Sequence, residues 1–172
     1  MELIGGIFLC LIGVFGAVGV ARGYGRELGV TIVLLFTLAI TELFEERFPQ
    51  QLNQFLAWSG IPVMSQTSAK TMIFCGLLIL MVFIAYQSEF LAFGVRGKST
   101  TYSLGAGLLN GYLCAGSLWY YLARAGWPGL NLDTRSAGEF YRLTIKLLPP
   151  HVFRWEYLLV LAVFLLIMRV VK

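Results

Sequence analysis

The sequence has little charge and a single histidine. Only 13% of its 172 residues are Asp, Glu, Lys or Arg, whereas 58% are hydrophobic. A soluble domain carries about 25% charged residues, so this chain lacks the charge that normally covers a water-facing surface. Its mean hydropathy is +0.78. We therefore expect lipid to be the solvent of most of its outer surface.

Residues that usually carry chemistry are few and scattered. His151 is the only histidine, which excludes a multi-histidine metal site. It could still act as a single cofactor ligand, although we expect a solvated or capping role. The three cysteines lie in apolar runs without metal-ligand spacing. The sequence therefore predicts neither an enzyme nor a metal protein. It predicts no cofactor, and a bound lipid or pigment stays open as an alternative.

The apolar residues form five runs that are long enough to cross a membrane, which takes about 20 residues or somewhat fewer where the bilayer thins. Two amphipathic stretches, 47–62 and 140–148, are predicted to lie along the membrane surface. The fold class is therefore predicted as all-α: a polytopic integral membrane protein of about five transmembrane helices plus two interfacial helices, forming one domain over 1–172. The predicted spans are 3–21, 28–43, 71–94, 102–123 and 154–171.

Aromatic and proline residues refine this prediction. Pro149 and Pro150 are expected to end the second surface helix. A cluster of aromatic residues near the end of the fourth span and beyond it is expected to form an interfacial belt. Its members are Trp119, Tyr120, Tyr121, Trp127 and Trp155.

The basic residues predict the orientation. Five crossings place one set of basic residues in very short segments on one side and a second set in two longer loops on the other. Because the positive-inside rule weights short loops, the first set is predicted to be cytoplasmic, with the N-terminus outside and the C-terminus inside. The net charge of +4 forms no stripe, so nucleic acid is not an expected partner. The cytoplasmic set is Arg22, Arg26, Arg96, Lys98, Arg169 and Lys172.

Small residues recur at helical spacing in the first and fourth spans. Such faces let membrane helices approach closely, so we predict that these two spans pack together or that either forms a dimer seam. The alternative is that glycine is simply frequent in membrane helices. The predicted packing residues are Gly6, Gly13, Ala17, Gly107, Gly111 and Ala115.

Ionisable and polar groups near the spans are candidate functional residues. Glu42 and Glu89 fall near opposite membrane faces, which excludes an acid/base pair between them. Glu89 is expected to form an ion pair with Arg22 or Arg26, with a proton relay as the alternative. Asn110 is the deepest polar residue of the fourth span, and we expect its amide to bond across helices.

The stretch Arg22-Gly23-Tyr24-Gly25-Arg26-Glu27 lies between the first two spans. Gly23 and Gly25 predict a tight turn, and Glu27 is expected to begin the second span at the positive end of its helix dipole. The first span, this motif and the second span resemble the start of the colicin V production (CvpA-like) family of small bacterial membrane proteins. Leu104-Gly105, followed by Gly107 and Gly111, is a second similarity.

The resemblance covers residues 1–123, and 124–172 is expected to be a C-terminal extension with a surface helix and the fifth span. It implies a bacterial inner-membrane protein that acts without catalysis in secretion, envelope maintenance or a membrane assembly. Two alternatives stay open: an accessory subunit of an energy-transducing photosynthetic or respiratory complex, and a small-solute channel or transporter. The expected partners are membrane lipids, other membrane subunits or further copies of the chain.

Overall fold

The computed structural model of the protein describes residues 2–58, 66–88, 91–93, 99–127 and 139–171. Within these ranges all regular secondary structure is helical, which confirms the predicted all-α class. The helices are α1 (Glu2–Arg22), α2 (Tyr24–Arg47), α3 (Pro49–Trp58), α4 (Gln66–Gln87), α5 (Thr100–Arg124), α6 (Glu139–Lys146), α7 (Pro149–Val152) and α8 (Trp155–Val170).

Helix α2 is the centre of the fold. In its apolar stretch of 18 residues, 61% of the residues are buried, compared with 17% in the corresponding stretch of α1 and 28% in that of α4. A helix that is apolar on all sides is expected to be surrounded by others, and α4, α5 and α8 all pack on α2. The main core joins Val30, Leu34 and Leu38 of α2 to Leu78, Leu113, Leu158 and Ala162 of these neighbours.

The described part of the predicted C-terminal extension belongs to this same core. Leu158 and Ala162 of α8 are buried against α2. Pro149 of α7 lies against α5, where a side chain at Gly116 would meet its ring. Residues 139–171 are therefore packed onto the helices of 1–123 in one hydrophobic unit.

Three described helices are long and apolar enough to cross a bilayer: Gly5–Arg22, Tyr24–Arg47 and Thr67–Gln87. This confirms apolar helices of membrane-spanning length. Helix α5, predicted as the fourth span, is 25 residues long but is not among the three, and α8 has only 16 residues. The count of five spans therefore stays a prediction, as does the surface position of α3 and α6.

The turn between α1 and α2 is shorter than predicted. Gly23 alone separates the two helices and has φ 90°, a left-handed conformation that favours glycine. Gly25 already lies in α2, where its carbonyl accepts a 2.9 Å hydrogen bond from the Phe93 amide. Its lack of a side chain serves this close backbone approach, so the turn role predicted for Gly25 is wrong.

Two further predictions are corrected. The proline pair does not end α6, which stops at Lys146; Pro149 starts α7 instead, because the first helical position needs no amide donor. The interfacial position predicted for Trp119, Tyr121 and Trp127 is also wrong, because their side chains are buried inside the protein. Trp119 packs edge-on against Phe8 at 5.0 Å because the ends of α1 and α5 share a second core there.

Candidate functional site

A buried polar cluster joins the two ends of the Arg22–Glu27 motif. We define the Glu27 cluster as Arg22, Glu27, Thr31, Tyr86 and Asn110. Arg22 is the last residue of α1 and Glu27 lies in the first turn of α2. The one-residue turn at Gly23 brings these helix ends together, and the Glu27 side chain is 0% exposed.

Three donors from three helices bind the Glu27 carboxylate. Arg22 Nη1 lies 3.2 Å from Oε1. The Tyr86 hydroxyl donates to Oε2 at 3.0 Å, and Asn110 Nδ2 donates to the same oxygen at 2.9 Å. Both carboxylate oxygens are therefore engaged.

The other members of the cluster bind one another. Asn110 is also 0% exposed, and its Oδ1 accepts a 2.8 Å hydrogen bond from the Thr31 hydroxyl. Arg22 Nη2 donates to the Tyr86 carbonyl at 3.0 Å, and the guanidinium carbon lies 4.4 Å from the Tyr86 ring centroid. The cluster thereby ties α1, α2, α4 and α5 together at one end of the bundle.

These contacts indicate a structural role for the Glu27 cluster. A buried charge is costly unless it is paired and hydrogen-bonded, and Glu27 has both forms of compensation. The amide of Asn110 bonds across helices as its position in the fourth predicted span indicates. Because each polar atom of the carboxylate and of the Asn110 amide has a partner inside the chain, the arrangement fits helix packing better than substrate binding.

Part of this cluster is predictable from the sequence, which indicates Arg22, Glu27 and Asn110 as candidate residues. The partner expected for the arginine, Glu89, lies outside the described residues. Arg26 is exposed at a polar cavity of about 480 Å³ that Arg22 also lines. Tyr86 and Thr31 were missed. Thr31 carried a usable signal, since it follows Glu27 by four residues and so shares its helix face.

The second candidate feature is the contact between α1 and α5. Gly107 of α5 faces Gly16 and Gly19 of α1, and a Cβ at Gly107 would lie 2.5 Å from the Phe15 carbonyl oxygen. A Cβ at Gly111 would lie 2.9 Å from the Ile12 Cα. The two backbones are in direct contact, so the structure places Gly107 and Gly111 where the small-residue spacing predicted a close approach.

The side of α1 that was predicted to contact α5 is wrong. Gly6, Gly13 and Ala17 are exposed, and a Cβ at Gly6 or Gly13 would meet nothing within 4 Å. The residues that touch α5 lie on another side of α1: Phe8, Ile12, Phe15, Gly16 and Gly19. Both sides carry small residues, so spacing alone could not choose between them. Ala115, by contrast, is buried beside Phe8 in the second core.

A third polar region lies at the opposite end of α2. Glu42, Glu45 and Glu46 line a cavity there together with Arg124 and Arg154. Glu42 follows Glu27 by 15 residues, which is about 22 Å along a helix. The two regions therefore lie near opposite ends of the bundle and do not form one site.

His151 lies beside this region without ligating a described group. It is exposed, and its ring stands edge-on to Tyr120 with centroids 5.0 Å apart. Among the described residues no group of three or more His, Cys, Asp or Glu side chains is arranged to hold a metal ion. The alternative role of His151 as a single cofactor ligand stays a prediction.

Comparison of the chain with family models, curated proteins and solved structures finds no match in any of the three.

Proposed function

We propose that this chain is a non-catalytic, CvpA-like integral membrane protein that acts by helix packing within a membrane assembly. The observation that carries this proposal is that one side of α1 packs against the chain while another side stays open. Its Gly16 and Gly19 side packs on α5, whereas the side with Gly6, Gly13 and Ala17 is open. Small-residue faces are the surfaces on which membrane helices associate, so the open side fits a further helix.

The Glu27 cluster supports packing as the function in preference to transport. Ionisable groups inside membrane helices often mark transport pathways, but the Glu27 carboxylate is enclosed by donors of its own chain. The partner at α1 is a second copy of the chain or another membrane subunit. The latter includes the accessory-subunit role in an energy-transducing complex.

The direction of the long helices supports a five-span placement. Helix α1 runs antiparallel to α5, because Gly19 meets Gly107 and Phe8 meets Trp119. Contacts at both ends pair α5 in parallel with α2, because Asn110 meets Glu27 and Arg124 meets Glu45. Helices α1, α4 and α8 run the other way. We infer five alternating crossings of the bacterial inner membrane, with α3 and α6 at its surface, the N-terminus outside and the C-terminus in the cytoplasm.

Reporter fusions test this placement. A fluorescent reporter that matures only in the cytoplasm, fused after Lys172, is expected to be fluorescent, because the short basic segments favour the cytoplasmic side. The same reporter inserted after Trp58 is expected to stay dark. Fluorescence at Trp58 and darkness at Lys172 would reverse the orientation, and equal signals at both positions would contradict an odd number of crossings between them.

Cross-linking through Cys10 tests assembly through α1. Cys10 is exposed and lies between Gly6 and Gly13 on the open side. In a Cys75→Ala/Cys114→Ala background, oxidation of native membranes is expected to join Cys10 to a second copy or to another subunit. Gly13→Leu is expected to lower the cross-linked fraction at least about fivefold, because a large side chain separates packed helices.

Gly76→Leu is the matched control for this experiment. Gly76 is exposed in the middle of α4, and a Cβ there would also meet nothing within 4 Å. The substitution should leave the Cys10 cross-link intact. A chain that stays monomeric after oxidation in membranes, or a cross-link that both leucine variants reduce equally, would contradict assembly through α1.

A further inference from the structure

The cavity at the Glu42 end of α2 is lined by acidic and basic side chains. We define the rim cavity as this space of about 290 Å³, which opens where α2 and α5 end and α8 begins. Carboxylates and guanidinium groups meet in its wall, so a ligand that carries only one sign of charge would face unfavourable groups. The charged residues that line it are Glu42, Glu45, Glu46, Arg124 and Arg154.

The groups around the rim cavity keep hydrogen-bonding capacity of both kinds. Arg124 Nη1 lies 2.8 Å from Glu45 Oε1, and Arg154 Nη2 lies 2.8 Å from Glu156 Oε1. Each of these pairs engages one nitrogen of a guanidinium group that has five N–H donors. The buried Oε1 of Glu42 has no hydrogen-bond partner in the described part of the chain. Guanidinium donors for an anion and carboxyl groups for a cation therefore line the same cavity.

An apolar cavity lies deeper between the same three helices. We define the apolar slot as this second space of about 290 Å³. Leu35 of α2, Leu113 of α5 and Leu161 of α8 line it, and Phe153 lines both the slot and the rim cavity. Because Leu109 and Leu161 are exposed, the slot opens to the outer surface of the bundle.

The depth of the slot matches one leaflet of a membrane. Leu35 and Thr31 line the slot, and Glu42 follows them by seven and eleven residues. At 1.5 Å per residue the slot therefore reaches from about 10 Å to about 16 Å below Glu42. Half of a hydrocarbon core of about 30 Å is about 15 Å. An acyl chain whose headgroup lies at the rim would fill the slot to its end.

We propose that the rim cavity and the apolar slot together bind one phospholipid with a primary-amine headgroup. Its ammonium group binds the Glu42 carboxylate, its phosphate binds Arg124 and Arg154, and one acyl chain occupies the slot. A lipid without an amine would leave the acidic wall unpaired. A trimethylammonium headgroup carries no N–H donor for Glu42. This inference uses the proposed membrane location but not assembly through α1.

Native mass spectrometry of the full-length chain tests the site. The protein is purified, depleted of lipid and titrated with dioleoyl phosphatidylethanolamine, phosphatidylcholine or phosphatidylglycerol, which share their acyl chains. We expect one phosphatidylethanolamine per chain, bound about tenfold more tightly than the other two, as loss of one charged hydrogen bond implies. Equal binding of all three lipids would overturn the headgroup assignment. Displacement by free phosphoethanolamine at equal concentration would overturn the role of the slot.

Variants separate the two parts of the site. Leu161→Trp places a large ring in the slot and is expected to weaken phosphatidylethanolamine binding at least about tenfold, because the acyl chain loses its space. Val160→Trp is the control, since Val160 is exposed on α8 and does not line the slot. Glu42→Gln keeps the side-chain shape and is expected to remove the preference for phosphatidylethanolamine over phosphatidylglycerol.

These outcomes are independent of the function proposed for α1. Equal effects of Trp at positions 160 and 161, or an unchanged preference in Glu42→Gln, would refute the lipid site while the Cys10 cross-link could still form. Conversely, a Cys10 residue that never cross-links would refute assembly through α1 and leave the lipid titration unaffected.

Discussion

Replacing Glu27 with alanine is expected to lower the free energy of unfolding by about 3–5 kcal/mol, the usual cost of removing one partner from a buried ion pair. The substitution would leave the Arg22 guanidinium, the Tyr86 hydroxyl and the Asn110 amide without their shared acceptor. Unfolding by a graded fraction of denaturing detergent, followed by circular dichroism, measures the change.

Glu46→Ala is the control for this variant. Glu46 belongs to the same helix but is exposed, so its removal should change the free energy of unfolding by less than about 0.5 kcal/mol. Asn110→Ala is expected to fall between the two, at about 1–2 kcal/mol, because it removes neutral donors and acceptors. If Glu27→Ala and Glu46→Ala were equally stable, the Glu27 cluster would not hold the helices together.

Replacing Gly107 with alanine is the second change with a large expected effect. The added Cβ would lie 2.5 Å from the Phe15 carbonyl oxygen and 3.0 Å from the Gly19 Cα. These are backbone atoms, so the clash can be relieved only by moving α1 away from α5. We expect a loss of about 1–3 kcal/mol in the free energy of unfolding, the range that overpacking costs.

Gly105 provides a matched control for Gly107 on the same helix. A Cβ at Gly105 would meet nothing within 4 Å, so Gly105→Ala should be neutral or stabilising by about 0.5–1 kcal/mol through helix propensity alone. The same detergent titration compares the two variants. Equal stability of Gly105→Ala and Gly107→Ala would show that the contact between α1 and α5 tolerates a methyl group and is not close-packed.

Much of the helical architecture was predictable, because long apolar runs in a chain with little charge satisfy their backbone hydrogen bonds best as helices. The predicted spans overlap α1, α2, α4, α5 and α8, and Gly107 and Gly111 lie at a close helix contact. Residue spacing also placed Asn110 between helices. Each of these predictions rests on the length of an apolar run or on helical spacing, and both can be read directly from the sequence.

The errors arose where two arrangements satisfied the same local pattern. Helix α1 has small residues on two sides, and only the fold shows that Gly16 and Gly19 face α5 while Gly13 stays open. Trp119 fits a membrane belt by its position in the sequence, yet it is buried because the second core closes over it. The fold also shows an ion pair that the sequence pattern did not predict, since the one-residue turn at Gly23 brings the Glu27 carboxylate to 3.2 Å from Arg22.

A double-mutant cycle between Arg22 and Glu27 tests most directly the claim that the charged motif ties the helices together. The free energy of unfolding is measured in the same detergent series for Arg22→Gln, Glu27→Gln and the double variant. We predict that the double variant loses less stability than the sum of the single variants, by about 0.5–3 kcal/mol, because each single change strands the other buried group. Losses that add within about 0.3 kcal/mol would contradict the account, since Arg22 and Glu27 would then not be coupled in the folded protein.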